Sequence, residues 1–147
     1  MLCLLLAAHP AGAITCTATA TSTSFGVYNP ASLLPLDGVG NVRVACSTLL
    51  LNVLVGYDIL LSPGGGGSYG ARRMANGSSS MTYNLYTDLT RLSVWGDGSG
   101  GSAMVSDGYL LMLLALHRDY PVYGRIPAGQ NLPAGSYTDT ILVTVNY

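Results

Sequence analysis

The sequence contains no lysine and no glutamate, so its six basic residues are all arginine and its seven acidic residues are all aspartate. Charged residues make up only 9% of the 147 residues, and the formal net charge is −1. The arginines are scattered along the chain, which excludes the basic footprint that nucleic-acid binding requires. We therefore predict neither nucleic acid nor an anionic membrane surface as a partner.

Residues suited to catalysis are also scarce. Beyond residue 13 the sequence has one histidine, His117, and no motif that marks a nucleophile beside it, so we interpret it as a solvated turn residue. Asp97 and Asp107 lie in a segment that weakly resembles a calcium loop but lacks its further oxygen ligands and its closing glutamate. We predict no enzymatic activity, no cofactor, no metal and no small-molecule substrate.

The sequence has no apolar run long enough to span a membrane, which needs about 20 residues. The N-terminal segment, MLCLLLAAHPAGA, has the apolar core and the small-residue cleavage site of a secretory signal, although no basic residue precedes the apolar core. We predict cleavage after Ala13, which divides the chain into a signal at residues 1–13 and one domain at residues 14–147. The alternative is a buried N-terminal segment.

Cysteine is rare, and signal cleavage would remove Cys3. Cys16 and Cys46 would then remain as an even pair in an oxidising compartment, which indicates one disulfide. The alternative is a pair of metal ligands. We disfavour it because zinc sites usually combine closely spaced ligand pairs, and no second Cys or His cluster lies nearby.

Glycine, in contrast, is abundant, and its clusters separate short apolar segments. Val42, Val44 and Cys46 alternate with polar or smaller residues, and the final segment alternates in the same way. The apolar run in YLLMLLALHRDYPVYGRI is compatible with a buried strand or a helix, and its Tyr, Pro and Gly flanks favour the strand. We predict an all-β domain of sandwich type, with a further short strand around Trp95. The adjacent Arg72 and Arg73 are interpreted as a solvated hairpin end, although contact with an anionic glycan or a neighbouring subunit is an alternative.

Several multi-residue motifs follow one another in fixed order behind the two cysteines: FGVYNP, YNLYTD, VWGDGSGG, VYGRIPAGQ and PAGSYTDTILVTVNY. In this order they resemble the spore coat protein U domain, also called the Csu-type fimbrial domain, over essentially all of residues 14–147. Members of that family are pilins of archaic chaperone-usher pili or related secreted coat proteins. The resemblance implies an immunoglobulin-like β-sandwich that lacks its last strand. It also implies passage through the periplasm to a pilus or an extracellular coat.

The resemblance implies a groove that is filled first by a periplasmic chaperone and then by the N-terminal extension of another pilin subunit, with an outer-membrane usher in the assembly. Such donor-strand complementation is a form of β-augmentation. The predicted groove residues are the inward-facing residues of the last strand and two residues of the first, namely Ala18, Ala20, Ile141, Val143, Val145 and Tyr147. The alternative is an ordinary core strand paired within its own chain.

Only Ile14 and Thr15 separate the predicted cleavage site from Cys16, and two residues cover only about 7 Å. We therefore expect a subunit that accepts a donor strand without offering one, at the tip of a fibre. In such a tip subunit, the apolar run before HRDY would form either an exposed adhesive patch or a core strand. It comprises Leu110, Leu111, Met112, Leu113, Leu114 and Leu116. The competing function is a secreted coat or carbohydrate-binding module that folds alone.

Overall fold

The computed structural model describes residues 14–111 and 115–147, which form eight β-strands. The strands are β1 (Thr15–Ser24), β2 (Leu36–Ser47), β3 (Val53–Leu61), β4 (Arg72–Asn76), β5 (Ser79–Tyr86), β6 (Val105–Leu111), β7 (Leu116–Ile126) and β8 (Val143–Asn146). The all-β prediction is confirmed, and the ambiguous apolar run contains the end of β6 and the start of β7. Across the described ranges, no helix is long and apolar enough to cross a membrane. The predicted signal at residues 1–13 lies outside the described residues.

The strands form two antiparallel sheets that pack face to face. The large sheet has the order β1-β2-β7-β5-β4, and the small sheet has the order β6-β3-β8. Alternation along each strand directs every second side chain into the space between the sheets. Val42, Val44, Ile59 and Leu111 are at most 1% exposed there, and they belong to one continuous core. The prediction of a β-sandwich is therefore confirmed.

A disulfide joins β1 to β2 at one end of the sandwich. Cys16 and Cys46 are direct cross-strand partners, and their sulfur atoms are bonded. Both side chains lie in the core. The disulfide prediction is confirmed, and the metal-ligand alternative is excluded for this pair.

The register of β1 shifts between Thr21 and Ser24, which reverses the side of the strand that faces the core. Phe25 turns inward after the shift and packs edge-to-face on Tyr83, with 6.1 Å between the ring centroids. Gly124 on β7 makes room for it, since a Cβ atom there would lie 2.5 Å from the Phe25 ring. Phe25 thereby contacts the core from the end of β1 opposite the disulfide.

Arg72 on β4 is fully buried, so its predicted place at a solvated hairpin end is wrong. Its guanidinium donates hydrogen bonds to the carbonyl oxygens of Ser62 and Trp95 at 2.8 and 2.6 Å, and to the side-chain oxygen of Asn84 at 2.8 Å. Trp95 is also buried, but it lies on isolated β-bridges rather than on the predicted short strand. Arg72 therefore connects β4 and β5 of the large sheet to the chain segment that follows β3.

Candidate functional site

The sandwich has an open side between β1 of the large sheet and β8 of the small sheet. Among the described residues, β1 pairs only with β2, and β8 pairs only with β3. Each strand therefore presents one backbone edge without a strand partner. Such edges are the surfaces on which a strand from another molecule can add.

The strand registers identify which side chains face this opening. Ala18 and Ala20 are cross-strand partners of Val44 and Val42, and directly paired residues share one face of a sheet. Val44 and Val42 are buried, whereas both alanines are exposed although they face the inside of the sandwich. The inner face of β1 is therefore not covered by the small sheet.

The other wall of the opening is β8 with the segment before it. Val143 and Val145 pair with the buried Leu61 and Ile59, so they also face inward, and both are half-buried. Ile141 packs against the same core from just before β8. We call the space between β1 and the Ile141–Val145 segment the groove.

A cavity of about 350 Å³ opens into the groove. Ala20, Ile141 and Val143 form part of its walls, and the remaining lining is mostly apolar. The core-facing part of that lining consists of Phe25, Val42, Leu61, Met74, Tyr83, Leu85 and Val122. A second cavity of about 670 Å³ shares Phe25, Met74 and Tyr137 with the first and extends beyond the end of β1. The two cavities form a trough over an apolar floor.

One carboxylate lies in the lining of the first cavity. Asp139 accepts hydrogen bonds from the Tyr83 hydroxyl at 2.6 Å and from the Gly65 backbone at 2.9 Å. Burial, followed by the hydrogen bond to Asp139, raises the pKa of Tyr83 far above its usual range, so this phenol remains neutral. The carboxylate is therefore committed to contacts within the chain, and the cavity presents a largely apolar surface.

The structure brings together only part of the predicted groove set. Ala20, Ile141 and Val143 line the cavity, while Ala18 and Val145 face inward farther along the same two strands. Tyr147 is 60% exposed and lines a separate depression beside Gly56 and Asp58. Its predicted place in the groove is therefore corrected. Phe25 and Met74 were missed, because the shift in β1 and the short strand β4 leave no regular pattern in the sequence.

The predicted adhesive patch divides between the surface and the core. Leu111 is fully buried on β6 and cannot belong to an exposed patch, whereas Leu110 and Leu116 are 47% and 43% exposed. Met112, Leu113 and Leu114 lie outside the described residues. Leu54, which sequence analysis missed, is the cross-strand partner of Leu110 and is 76% exposed. An adhesive role for the exposed leucines remains a prediction.

The weak resemblance to a calcium loop has no counterpart in the fold. Asp97 bonds to Ser99 within its own turn, whereas Asp107 lies on β6 and bonds to Arg118 and Tyr120. Residues 14–111 and 115–147 contain no group of three or more His, Cys, Asp or Glu side chains that could hold a metal ion. His117 is exposed on strand β7 rather than in a turn.

Asp107 predicts a specific dependence of stability on pH. The Tyr120 hydroxyl, followed by Arg118, donates hydrogen bonds that lower the pKa of this carboxyl below its usual value. Its contribution to stability is therefore present above the unfolded-state pKa, about 3.9, and is lost as the pH falls through the lower folded-state pKa. In urea unfolding, D107N should lose less stability than the parent between about pH 5 and pH 3. Equal losses in the two proteins would contradict this role.

Comparison with known proteins assigns the chain to a family. A sequence profile of the Spore Coat Protein U domain matches residues 3–144. The chain belongs to this family. It is 36% identical over 132 residues to Protein U of Myxococcus xanthus, an alignment that covers 84% of this chain and 70% of that protein.

The fold also resembles that of a solved structure whose sequence identity to this chain is low. That structure is the complex of the chaperone CsuC with the tip adhesion subunit CsuE, from the archaic chaperone-usher Csu pili of Acinetobacter baumannii. The TM-score is 0.57 at 22% identity, over 92% of this chain and 40% of that chain. This chain thus spans less than half the length of its structural neighbour, and the likeness concerns the fold alone.

Proposed function

We propose that this chain is a non-enzymatic structural subunit of a chaperone-usher type pilus that accepts a strand from another molecule in its groove. The observation that carries the proposal is the exposed inner face of Ala18 and Ala20 beside the half-buried Val143. An inward-facing strand surface without cover is unusual, because packed sheets normally bury their inner faces against each other. A strand placed between β1 and β8 would cover it.

The groove defines the chemistry of the strand that fits. Both bordering backbones can offer main-chain hydrogen bonds, and the apolar floor favours apolar side chains at every second position of the incoming strand. The small side chains of Ala18 and Ala20 leave space for large residues opposite them. The alternate positions would face solvent and would be polar.

The family and the structural neighbour support the partners that we propose. The neighbouring structure contains a pilus chaperone and a tip adhesion subunit, so a periplasmic chaperone and other pilin subunits are the proposed donors here. An outer-membrane usher and export through the periplasm to the cell surface belong to the same proposal. The alternative is a self-contained secreted coat module, and membership of the Spore Coat Protein U family is compatible with it.

The experiment adds a groove-filling peptide to the purified chain. The peptide has apolar residues at alternate positions, and a second peptide of the same composition with scrambled order serves as control. A peptide that binds only the folded state raises the free energy of unfolding by about 2.7 kcal/mol at a concentration one hundred times its Kd. We expect this gain from the alternating peptide only. An unchanged unfolding midpoint with both peptides would favour the self-contained coat module.

A further inference from the structure

Three consecutive rows of residues on the outer face of the small sheet differ in chemistry, as the strand registers show, and a further row beyond them pairs Leu60 with Thr144. Ser106, Asp58 and Asn146 lie side by side across β6, β3 and β8. The next outward row on β6 and β3 is a pair of glycines, Gly108 and Gly56. Leu110 and Leu54 form the row after that. Across these three rows, the exposed surface therefore changes from polar side chains to bare backbone and then to apolar side chains.

A shallow depression of about 490 Å³ lies at the polar end of this face. The residues that line it are Gly56, Tyr57, Asp58, Ser106, Asp107, Asn146 and Tyr147. Because Gly56 carries no side chain and has open space at its Cβ position, the peptide planes beside the polar row are open to a flat ligand. The exposed ring of Tyr147 stands at the border of the depression.

The hydrogen-bonding groups of this depression match vicinal hydroxyl groups. Asp58 supplies acceptors, Ser106 a hydroxyl, and Asn146 both an acceptor and donors. The Ser106 hydroxyl donates to Asp58 Oδ1 at 2.6 Å, which fixes the orientation of the carboxylate. Within the described part of the chain, the Oδ2 atom of Asp58 accepts no hydrogen bond, and it remains available to a ligand.

The charge of the face restricts the ligand further. Asp58 is the only charged side chain in the three rows. The outer face of the large sheet differs, since Arg43 there pairs with Asp119 and Arg125 with Asp37. Asp107 also belongs to the lining of the depression, but its carboxylate is paired with Arg118. Asp58 has no ion-pair partner among the described residues, and an unpaired carboxylate disfavours anionic polymers. An aromatic ring beside convergent polar groups suits a sugar, whose rings have both apolar faces and hydroxyl edges.

We propose that this depression binds a segment of a neutral polysaccharide, with Asp58, Ser106 and Asn146 contacting its hydroxyl groups and Tyr147 packing on a sugar ring. The open shape suits an internal segment of a long chain better than an enclosed small molecule. The site lies on the outside of the small sheet, whereas the groove opens between the two sheets. The proposal therefore does not depend on strand capture.

The experiment titrates the full chain with cellohexaose, laminarihexaose and maltohexaose, and follows the backbone amide resonances of Gly56 and Gly108 by NMR. We expect saturable shifts with at least one of these glucans. Asp58→Asn and Tyr147→Ala should each raise the Kd at least tenfold, while the control D37N, on the outer face of the large sheet, should bind like the parent. Retention of the dispersed amide spectrum shows that each variant is folded.

Three results would overturn the proposal: no saturable shift with any glucan, unchanged affinity in both site variants, or equally tight binding of polygalacturonate, an anionic chain. A groove variant that loses strand capture should retain glucan binding. Conversely, Tyr147→Ala should retain strand capture, because its side chain is exposed outside the groove cavity. The two proposals can therefore fail separately.

Discussion

Replacing Val143 with aspartate should strongly weaken strand capture while leaving the fold and the disulfide between Cys16 and Cys46 intact. Val143 faces the groove from β8 and lines its cavity beside Ala20 and Ile141. A carboxylate at this position would lie under the incoming strand without a cation to pair with, and burying an unpaired charge costs several kcal/mol. We expect at least a hundredfold loss of affinity, which corresponds to about 2.7 kcal/mol. The measurements are co-purification with a co-expressed periplasmic chaperone and the Kd for the alternating peptide.

The matched control is the neighbouring residue of the same strand. Thr144 is exposed and belongs to the opposite face of the small sheet, so T144D adds the same charge without entering the groove. This variant should bind the chaperone and the peptide like the parent. If V143D and T144D bind equally well, the groove is not the site of strand capture. Unfolding of the unliganded variants in urea separates loss of binding from loss of the fold.

The parts of the fold that sequence reasoning could predict are those in which one regular pattern continues through a whole strand. The alternation of Val42, Val44 and Cys46 places β2 and the disulfide correctly, because a half-covered strand must bury every second residue. The same reasoning identifies Val143 and Val145 as inward-facing. The family resemblance then indicates what borders this strand, which periodicity alone does not.

The errors arise where tertiary contacts override the local pattern. The shift in β1 changes its inner face within three residues, so Phe25 enters the core against the alternation that begins at Cys16. Tyr147 continues the inward series of β8 by count, yet it lies beyond the last paired residue, Asn146, and borders a different surface. In both cases the position depends on where strand pairing stops, and no single residue encodes that point.

The leucine-rich segment also shows where sequence reasoning fails, because its residues lack any alternating pattern. Leu110 and Leu111 are identical in chemistry, but one is exposed and the other is fully buried, because adjacent residues of β6 face opposite sides of the small sheet. A run of apolar residues without polar interruptions gives no indication of which members face inward. Only the pairing of Leu111 with Val53 and of Leu110 with Leu54 assigns the two faces.

The second large effect that we expect comes from replacing Arg72, and it concerns the stability of the fold rather than assembly. Its side chain is fully buried, and all of its hydrogen-bond acceptors are neutral: the carbonyl oxygens of Ser62 and Trp95 and the side chain of Asn84. Burial lowers the pKa of Arg72, but an arginine in a protein keeps its proton. Arg72→Ala would remove the side-chain donor from the carbonyl oxygens of Ser62 and Trp95, would leave Asn84 Oδ1 with only the Leu85 backbone N–H, and would create a cavity. We expect the free energy of unfolding to fall by about 3–5 kcal/mol.

Urea unfolding measures this effect, and the next residue in the chain provides the control. Arg73 is exposed on the opposite face of β4, so Arg73→Ala should change stability by no more than about 0.5 kcal/mol. Arg72→Met separates the two components of the loss, since it retains most of the volume but donates no hydrogen bond. If Arg72→Met is as stable as the parent, the hydrogen bonds contribute no net stability and packing alone holds the end of β3 to β4. If it is destabilised nearly as much as Arg72→Ala, the guanidinium is the link between the two sheets.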